Sequence, residues 1–382
     1  MTDEEIRIKA EAYLEVESSL DFKAEVESLL EKEDMAELGD RFWRELDFGT
    51  GGLRGVIGGG SNRINTYTIC RATQGLANYI ISYVPEEERG VVIAFDCRNY
   101  SDVFARQAAR VFAANGIKAW LFTSLRPTPV LSFAVRRLSA CAGVMITASH
   151  NPAEYNGYKV FWADGAQVVP PHDKGIIAEV RKVNGHVAAM DMKKAEEEGL
   201  IISIDREIDD AYRQMAVNQS LNPEMMRRSG NRVKIVYTPL HGAGTLPVEG
   251  VLRELGMTVM TVSQQREPDG NFPTVDFPNP EIASALEMAL KLAEDNGADL
   301  VMATDPDADR LGIAVPDGEK WCLLSGNRLG ALLIDYIFRI QKEQGIMPAN
   351  PTFVNTIVTT GLQNVIAEYY GAKSFRVLTG FK

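Results

Sequence analysis

The stretch Cys141-Ala-Gly-Val-Met-Ile-Thr-Ala-Ser-His-Asn-Pro-Ala-Glu-Tyr-Asn-Gly-Tyr-Lys159 organises the rest of the chain. Its apolar run Val144–Ile146 predicts a buried strand, and the Asn-Pro pair that follows predicts a turn. Ser149 is therefore expected at the carboxyl end of a strand, followed by His150 and, further on, Lys159. Open α/β sheets bind their ligands at that edge, so these side chains are candidates for catalysis. A hydrogen-bonded turn without a function is the alternative, because Ser and Asn both stabilise turns.

The bulk composition restricts the class of protein. A chain of 382 residues with 45% hydrophobic and 24% charged residues is globular and long enough for two or three domains. The net charge of −12 argues against nucleic acid as the main partner, although a small anion needs only a few converging cations. We expect a soluble, cytoplasmic protein with reduced thiols, because no signal-peptide or membrane-spanning pattern is present and the four cysteines lack paired spacing.

Apolar runs alternate with helical patterns over most of the chain, which predicts parallel strands joined by crossover helices. The expected fold class is α/β, with successive similar domains whose mixed sheets are flanked by helices around a central cleft. The predicted strands lie near residues 91–95, 119–122, 144–146, 233–237, 258–262, 300–303, 352–357 and 374–377. A polar segment at 191–208 predicts a linker, so the expected domains are 1–205, 206–318 and 319–382. The third sheet looks unfinished, which predicts a truncated C-terminal part.

Glycines surround a single cation, Arg54, in the segment 48–60. Such a loop allows backbone amides to approach an anion while the guanidinium supplies charge and donors. The segment lacks the Gly-x-Gly-x-x-Gly spacing of dinucleotide sites and the Gly-Lys-Ser/Thr of a P-loop, so neither nicotinamide binding nor a P-loop is predicted. A mobile glycine hairpin with an exposed arginine remains the alternative.

A buried strand pattern at 300–303 leads into alternating acids, Asp305, Asp307 and Asp309. Three carboxylates in a tight turn can converge on one hard cation, and ligation by oxygen alone suits magnesium or calcium. An EF-hand is excluded, because its required glycine and closing glutamate are replaced by Arg310 and Pro316. A solvated acidic turn is the alternative, although the three charges would repel one another without a cation.

Three motifs, Gly51–Gly55, Thr147–Pro152 and Asp305–Arg310, together resemble the α-D-phosphohexomutase superfamily. The most similar branch is that of phosphoglucomutases and phosphomannomutases, which includes phosphopentomutases. The resemblance implies that Ser149 carries a transferable phosphoryl group and shares a magnesium ion with the three aspartates. It further assigns catalytic or substrate-contacting roles to residues in or near the motifs, namely Arg54, His150 and Lys159 around the phosphoserine, Arg310 and Thr359 at the sugar phosphate, and Lys382 as general acid or base.

The implied reaction moves a phosphoryl group between the 1- and 6-positions of a hexose phosphate through a phosphoserine and a bisphosphate intermediate. Phosphoryl transfer mainly needs positioning and positive charge, which magnesium, arginines and lysines supply. Glucose 1,6-bisphosphate is the implied activator, and a small sugar phosphate the implied partner. The family's sugar-reading loop and fourth domain are missing from these 382 residues, so we expect a fragment with little turnover.

Other functions fit the same residues. A phosphopentomutase or a sugar-bisphosphate synthase would use the same fold, and the motifs do not distinguish the preferred sugar. A magnesium-dependent phosphatase would place the phosphate on an aspartate instead of Ser149. If the protein were a metal-binding module without catalytic activity, replacement of Ser149 by alanine would cause no measurable change. The number of copies that assemble is not predicted.

Overall fold

The structure, a computed structural model, describes residues 1–49 and 52–379 and divides the chain into two compact units. The first unit comprises Met1–Ile208 and the short segment Asp269–Pro273. The second comprises Asp209–Pro268 and the residues from Thr274 onward. Both contain mixed sheets with helices, so the predicted α/β fold class is confirmed. The division at 205 and 318 into three domains stays a prediction.

The first unit contains a six-stranded sheet in the order β1-β5-β4-β2-β3-β6. Its strands are β1 Gly52–Val56, β2 Gly90–Phe95, β3 Lys118–Phe122, β4 Ala142–Ile146, β5 Tyr155–Trp162 and β6 Ile201–Ile204. The four strands from β4 to β6 in that order are parallel, whereas β5 and β1 extend the sheet in antiparallel fashion. Every residue of β2 and β4 is buried, as expected for central strands covered on both faces.

Helices cover this sheet and precede it. They are α1 Asp3–Val16, α2 Leu20–Glu31, α3 Met35–Phe42, α4 Thr66–Tyr83, α5 Ser101–Ala114, α6 Thr128–Arg137, α7 His172–Lys182 and α8 Met192–Glu197, with α9 Arg206–Val217 crossing into the second unit. The first three pack on one another through a small core that includes Tyr13, Val26 and Phe42. The apolar faces of α4 and α5 join the strands in the main core.

The second unit contains a five-stranded sheet in the order β11-β10-β9-β7-β8 and a two-stranded parallel sheet of β12 and β13. The strands are β7 Lys234–Thr238, β8 Thr258–Thr261, β9 Leu300–Thr304, β10 Leu311–Asp317, β11 Lys320–Leu324, β12 Thr352–Thr356 and β13 Lys373–Val377. The helices are α10 Pro223–Ser229, α11 Thr245–Glu254, α12 Ser263–Arg266, α13 Glu287–Asn296, α14 Gly326–Glu343 and α15 Leu362–Tyr369. As in the first sheet, parallel strands are followed by an antiparallel extension, here β10 and β11.

Two local expectations are wrong. The segment 191–208 is not a linker, because it forms α8 and the edge strand β6, which pairs with β3. The glycine-rich segment is expected to be a loop, but its residues 52–56 form the strand β1, which pairs with β5. Gly52 is required there, since a Cβ atom at its φ of +127° would lie 1.7 Å from the carbonyl oxygen of Tyr158. Gly52 therefore allows the close pairing of β1 with β5.

Candidate active site

Ser149 lies in the turn between the antiparallel strands β4 and β5, at the carboxyl end of the parallel strands. Its side chain is buried and its backbone has a left-handed φ of +55°, a strained conformation for a residue other than glycine. The Ser149 amide donates to Thr147 Oγ1 at 2.8 Å, which holds the turn. His150 follows, with Nδ1 3.3 Å from Ser149 Oγ. The predicted strand-end position of the serine is observed.

The Ser149 turn is anchored to the neighbouring strand β2 through Asp96. Thr147 Oγ1 donates to Asp96 Oδ2 at 2.6 Å. The other carboxylate oxygen accepts from the Ser101 hydroxyl and from the amide of Arg98, both at 3.1 Å. Hydrogen bonds to a carboxylate are stronger than those between neutral groups, so this buried network restrains the turn.

Arg98 is a functional candidate that the sequence reasoning missed. Its Nη2 donates to the carbonyl oxygen of Ser149 at 2.7 Å and to that of Asn151, and its Nη1 donates to the carbonyl oxygens of Pro152 and Tyr155 at 2.8 Å. The side chain is completely buried, with Nε 3.7 Å from Asp96 Oδ2, so both charges of this pair are enclosed. The signal available in the sequence was an Asp-Cys-Arg run directly after a buried strand.

Arg54 and Lys159 belong to the antiparallel strands beside the Ser149 turn. Arg54 lies on β1, is exposed, and donates from Nη1 to Asn151 Oδ1 at 3.2 Å, so it contacts the turn directly. Lys159 lies on β5, where it pairs with Met145 of β4, and its side chain is buried. The first unit thus contains four of the predicted residues, which lie in the turn, on β5 or on β1, the strand that pairs with β5.

The acidic cluster forms the turn between β9 and β10 in the second unit. One carboxylate oxygen from each of Asp305, Asp307 and Asp309 can be chosen so that all lie within 4.8 Å of one another. The first two side chains are completely buried and the third is exposed. Three carboxylates this close repel one another unless a cation lies among them, and oxygen donors suit magnesium or calcium. The donor set therefore fits the predicted metal.

Backbone contacts hold this acidic turn against the loop that follows β7. The Ala243 amide donates to the carbonyl oxygen of Pro306 at 2.8 Å. Gly242 makes this approach possible, since a Cβ atom there would lie 2.5 Å from Pro306 Cα. Below the turn, the Tyr237 hydroxyl lies 2.8 Å from Thr304 Oγ1, and burial raises the pKa of Tyr237, so the phenol stays neutral.

The other predicted residues of the second unit lie at strand ends as well. Arg310 is exposed at the end of the acidic turn, and its amide donates to Asp305 Oδ1 at 3.0 Å. Thr359 lies in the turn after β12, with Oγ1 2.9 Å from Thr356 Oγ1. Gly51 of the glycine motif and Lys382 lie outside the described residues.

Among the described residues, every helix is too short or too polar to span a lipid bilayer.

Comparisons with known proteins agree with these motifs. The model for phosphoglucomutase/phosphomannomutase alpha/beta/alpha domain I matches residues 45–185, and the model for domain II of the same family matches 210–318. A protein of Schizosaccharomyces pombe named as a phosphoribomutase is 38% identical over 366 residues, which cover 94% of this chain and 61% of that relative. A phosphoglucomutase of Staphylococcus epidermidis is 38% identical over 342 residues, covering 88% of this chain and 60% of the relative.

Among solved structures, one from Thermus thermophilus, named as a phosphomannomutase, superposes with a TM-score of 0.72 at 28% identity. The match covers 88% of this chain and 70% of that one. The chain spans about three fifths of the length of the curated relatives above, 61% and 60% respectively. Ser149 falls within the region matched by the domain I model, and the acidic turn within that matched by domain II.

Proposed function

The chain belongs to the α-D-phosphohexomutase superfamily, and from this premise we propose that it carries a phosphoryl group on Ser149 and exchanges it with sugar phosphates. The observation that supports this most is the Ser149 turn itself. A buried serine is held in a left-handed conformation at the carboxyl edge of parallel strands, with its carbonyl bound to a buried arginine. Strain of this kind persists where the surroundings enforce it, which is common at functional sites.

In the proposed reaction the bond between phosphorus and the Ser149 oxygen breaks as a bond forms between phosphorus and a sugar hydroxyl oxygen. The hydroxyl proton passes to a base, a role for which Lys382 is the candidate by resemblance to the family. Arg54 and Lys159, which flank the turn, would balance the charge of the phosphoserine. Arg310 and Thr359 would contact the sugar phosphate. The second half of the cycle reverses these bond changes on the other phosphate of the bisphosphate.

Asp305, Asp307 and Asp309 are the residues that would hold magnesium, because their oxygen donors converge and two of them are buried. When bound, magnesium would supply positive charge to the oxygens of the transferring phosphoryl group. Glucose 1,6-bisphosphate is the proposed activator, which would transfer one of its phosphoryl groups to Ser149 before the first turnover.

We propose a hexose phosphate as substrate, and one observation favours a pentose phosphate as a second candidate. The relatives named as phosphoribomutase and phosphoglucomutase are equally identical to the chain, at 38%, but the first alignment extends over 94% of it and the second over 88%. The two candidate substrates can be distinguished by measuring transfer of the phosphoryl group from the protein to each sugar phosphate. Phosphorylated protein is mixed with glucose 1-phosphate, mannose 1-phosphate or ribose 1-phosphate, and the rate at which the protein loses its phosphate is followed by intact mass.

The decisive experiment measures intact mass after incubation with glucose 1,6-bisphosphate and magnesium. We expect one phosphate-sized addition that maps to Ser149, is stable in acid and is absent from Ser149→Ala. Ser132→Ala is the matched control, because that hydroxyl lies in the same unit but donates to the carbonyl oxygen of Gly165. An acid-labile addition that survives in Ser149→Ala would instead indicate an aspartyl phosphate and a phosphatase. No addition at all would refute the phosphoserine.

A further inference from the structure

A five-residue segment leaves the second unit and packs in the first. Asp269–Pro273 belongs to the first unit, although the residues on both sides of it belong to the second. Its contacts fall on Cys97, Arg98 and Asn99, directly after β2, and Arg98 is the residue that binds the carbonyl oxygens of the Ser149 turn.

The contact is close and specific. A Cβ atom on Gly270 would lie 2.7 Å from both the amide of Asn99 and the carbonyl oxygen of Cys97, so glycine is required. Asn99 Nδ2 donates to Asn271 Oδ1 at 3.0 Å. Phe272 is 3% exposed, and the centroid of its ring lies 5.2 Å from Arg98 Cζ, a distance at which an aromatic face attracts a guanidinium. Phe272 also has a left-handed φ of +47°, so this placement is enforced against local preference.

We propose that Asp269–Pro273 is a positioning segment for the phosphoserine turn, and that Phe272 acts through Arg98. The ring covers the guanidinium and excludes water from it. In a less polar environment each hydrogen bond from Arg98 to the turn is stronger, because water no longer competes for its donors. The strained backbone of Ser149 is stabilised by these bonds, so removal of the ring releases the turn toward other conformations.

This inference rests on the proposed function for its consequence, since the turn matters to catalysis only if Ser149 is phosphorylated. Its structural part can be tested separately. A replacement that removes the aromatic face but keeps an apolar side chain, Phe272→Leu, is compared with Phe272→Tyr, which keeps the ring. Phe277→Leu is the matched control, because that phenylalanine is 52% exposed and belongs to the second unit.

Two measurements are made on each variant of the 382-residue chain. Amide hydrogen exchange over residues 147–155 should accelerate by about tenfold in Phe272→Leu, while β2 and β3 exchange as in the wild type. The rate constant for phosphorylation by saturating glucose 1,6-bisphosphate should fall by about fivefold to tenfold with unchanged half-saturation, and Phe272→Tyr should restore both values. Exchange that is unchanged at 147–155, or that rises equally throughout the first unit, would overturn the positioning role.

The outcomes separate the two proposals. If wild-type protein is not phosphorylated, the proposed function fails, yet the exchange data still decide whether Phe272 restrains the turn. If Phe272→Leu does not fold, Asn271→Ala removes the hydrogen bond from Asn99 and leaves the ring in place, and the same local acceleration is then expected. An Asn271→Ala variant that exchanges like the wild type would refute the role of the segment.

Discussion

The Ser149 turn and the acidic turn occupy equivalent places in their two sheets but are secured in different ways. Each connects a parallel strand to the first antiparallel one, β4 to β5 and β9 to β10, and the order β5-β4-β2-β3 in one sheet corresponds to β10-β9-β7-β8 in the other. The Ser149 turn is bound by a buried cation, Arg98, and a buried carboxylate, Asp96. The acidic turn accepts a backbone hydrogen bond from Ala243 in the loop after β7, and its own Asp305 carboxylate accepts from the Arg310 amide.

The difference follows the chemistry proposed for each turn. Arg98 donates to backbone carbonyl oxygens of the Ser149 turn, so this buried arginine can hold the turn while the serine hydroxyl stays available for phosphorylation. A buried arginine beside the three aspartates would instead compete with a metal ion for their oxygens. One topological position can therefore present either a candidate nucleophile or a candidate metal site, according to the side chains that its turn contains.

The largest expected effect is the loss of the buried ion pair in the first unit. Arg98→Met leaves the Asp96 carboxylate without its buried cation and removes four hydrogen bonds to the Ser149 turn, so the free energy of unfolding should fall by about 3–5 kcal/mol. Urea denaturation measures the loss. Arg54→Met serves as control, because Arg54 is exposed and its replacement should change stability by about 0.5 kcal/mol or less. Equal losses in the two variants would contradict this account of the Ser149 turn.

The second effect concerns the acidic turn and depends on metal. Magnesium at a hundredfold excess over its dissociation constant should stabilise the wild type by about 2.7 kcal/mol, and Asp307→Asn should remove this gain. Melting is followed with and without magnesium in a chelator-treated sample. In chelator alone the variant should be at least as stable as the wild type, because one repelling charge is gone.

Asp295→Asn tests whether the metal effect belongs to the turn. Asp295 is an exposed residue of α13, outside the acidic cluster. Its variant should retain the full stabilisation by magnesium. If the wild type gains nothing from magnesium or calcium, the metal interpretation of the cluster is wrong.

The smallest expected effect is a difference between two threonines, Thr147 and Thr238, each of which binds a residue with a left-handed backbone conformation at a strand end. Thr147 Oγ1 accepts from the Ser149 amide and donates to the Asp96 carboxylate. Thr238 Oγ1 accepts from the Leu240 amide at 3.1 Å and donates to the amide oxygen of Gln265 at 2.6 Å. Thr147 donates to a charged carboxylate, whereas Thr238 donates to a neutral amide oxygen. The free energy of unfolding should therefore fall by about 1.5–3 kcal/mol in Thr147→Val and by about 0.5–1.5 kcal/mol in Thr238→Val. Chemical denaturation of both variants under one condition measures the difference, and the reverse order would contradict the argument.

The sequence alone determined the parts of this protein that depend on neighbouring residues. The apolar runs of β2, β4, β7 and β9 and the turn residues after them define where strands end, so Ser149 and the three aspartates could be placed at strand ends. Apolar patterning and turn chemistry act over a few residues, which is why they can be recognised without the fold.

Only the tertiary structure decided what surrounds those strand ends. The strand β5 contains the polar residues Asn156 and Lys159, which are buried in the folded sheet. Because these polar residues interrupt its apolar pattern, no strand signal is visible in the sequence there. Arg98 and Phe272 lie far apart in the sequence, and their relation to Ser149 exists only after the chain has folded. Burial of a charge, and the partner that balances it, depend on contacts between distant segments, and no local pattern records them.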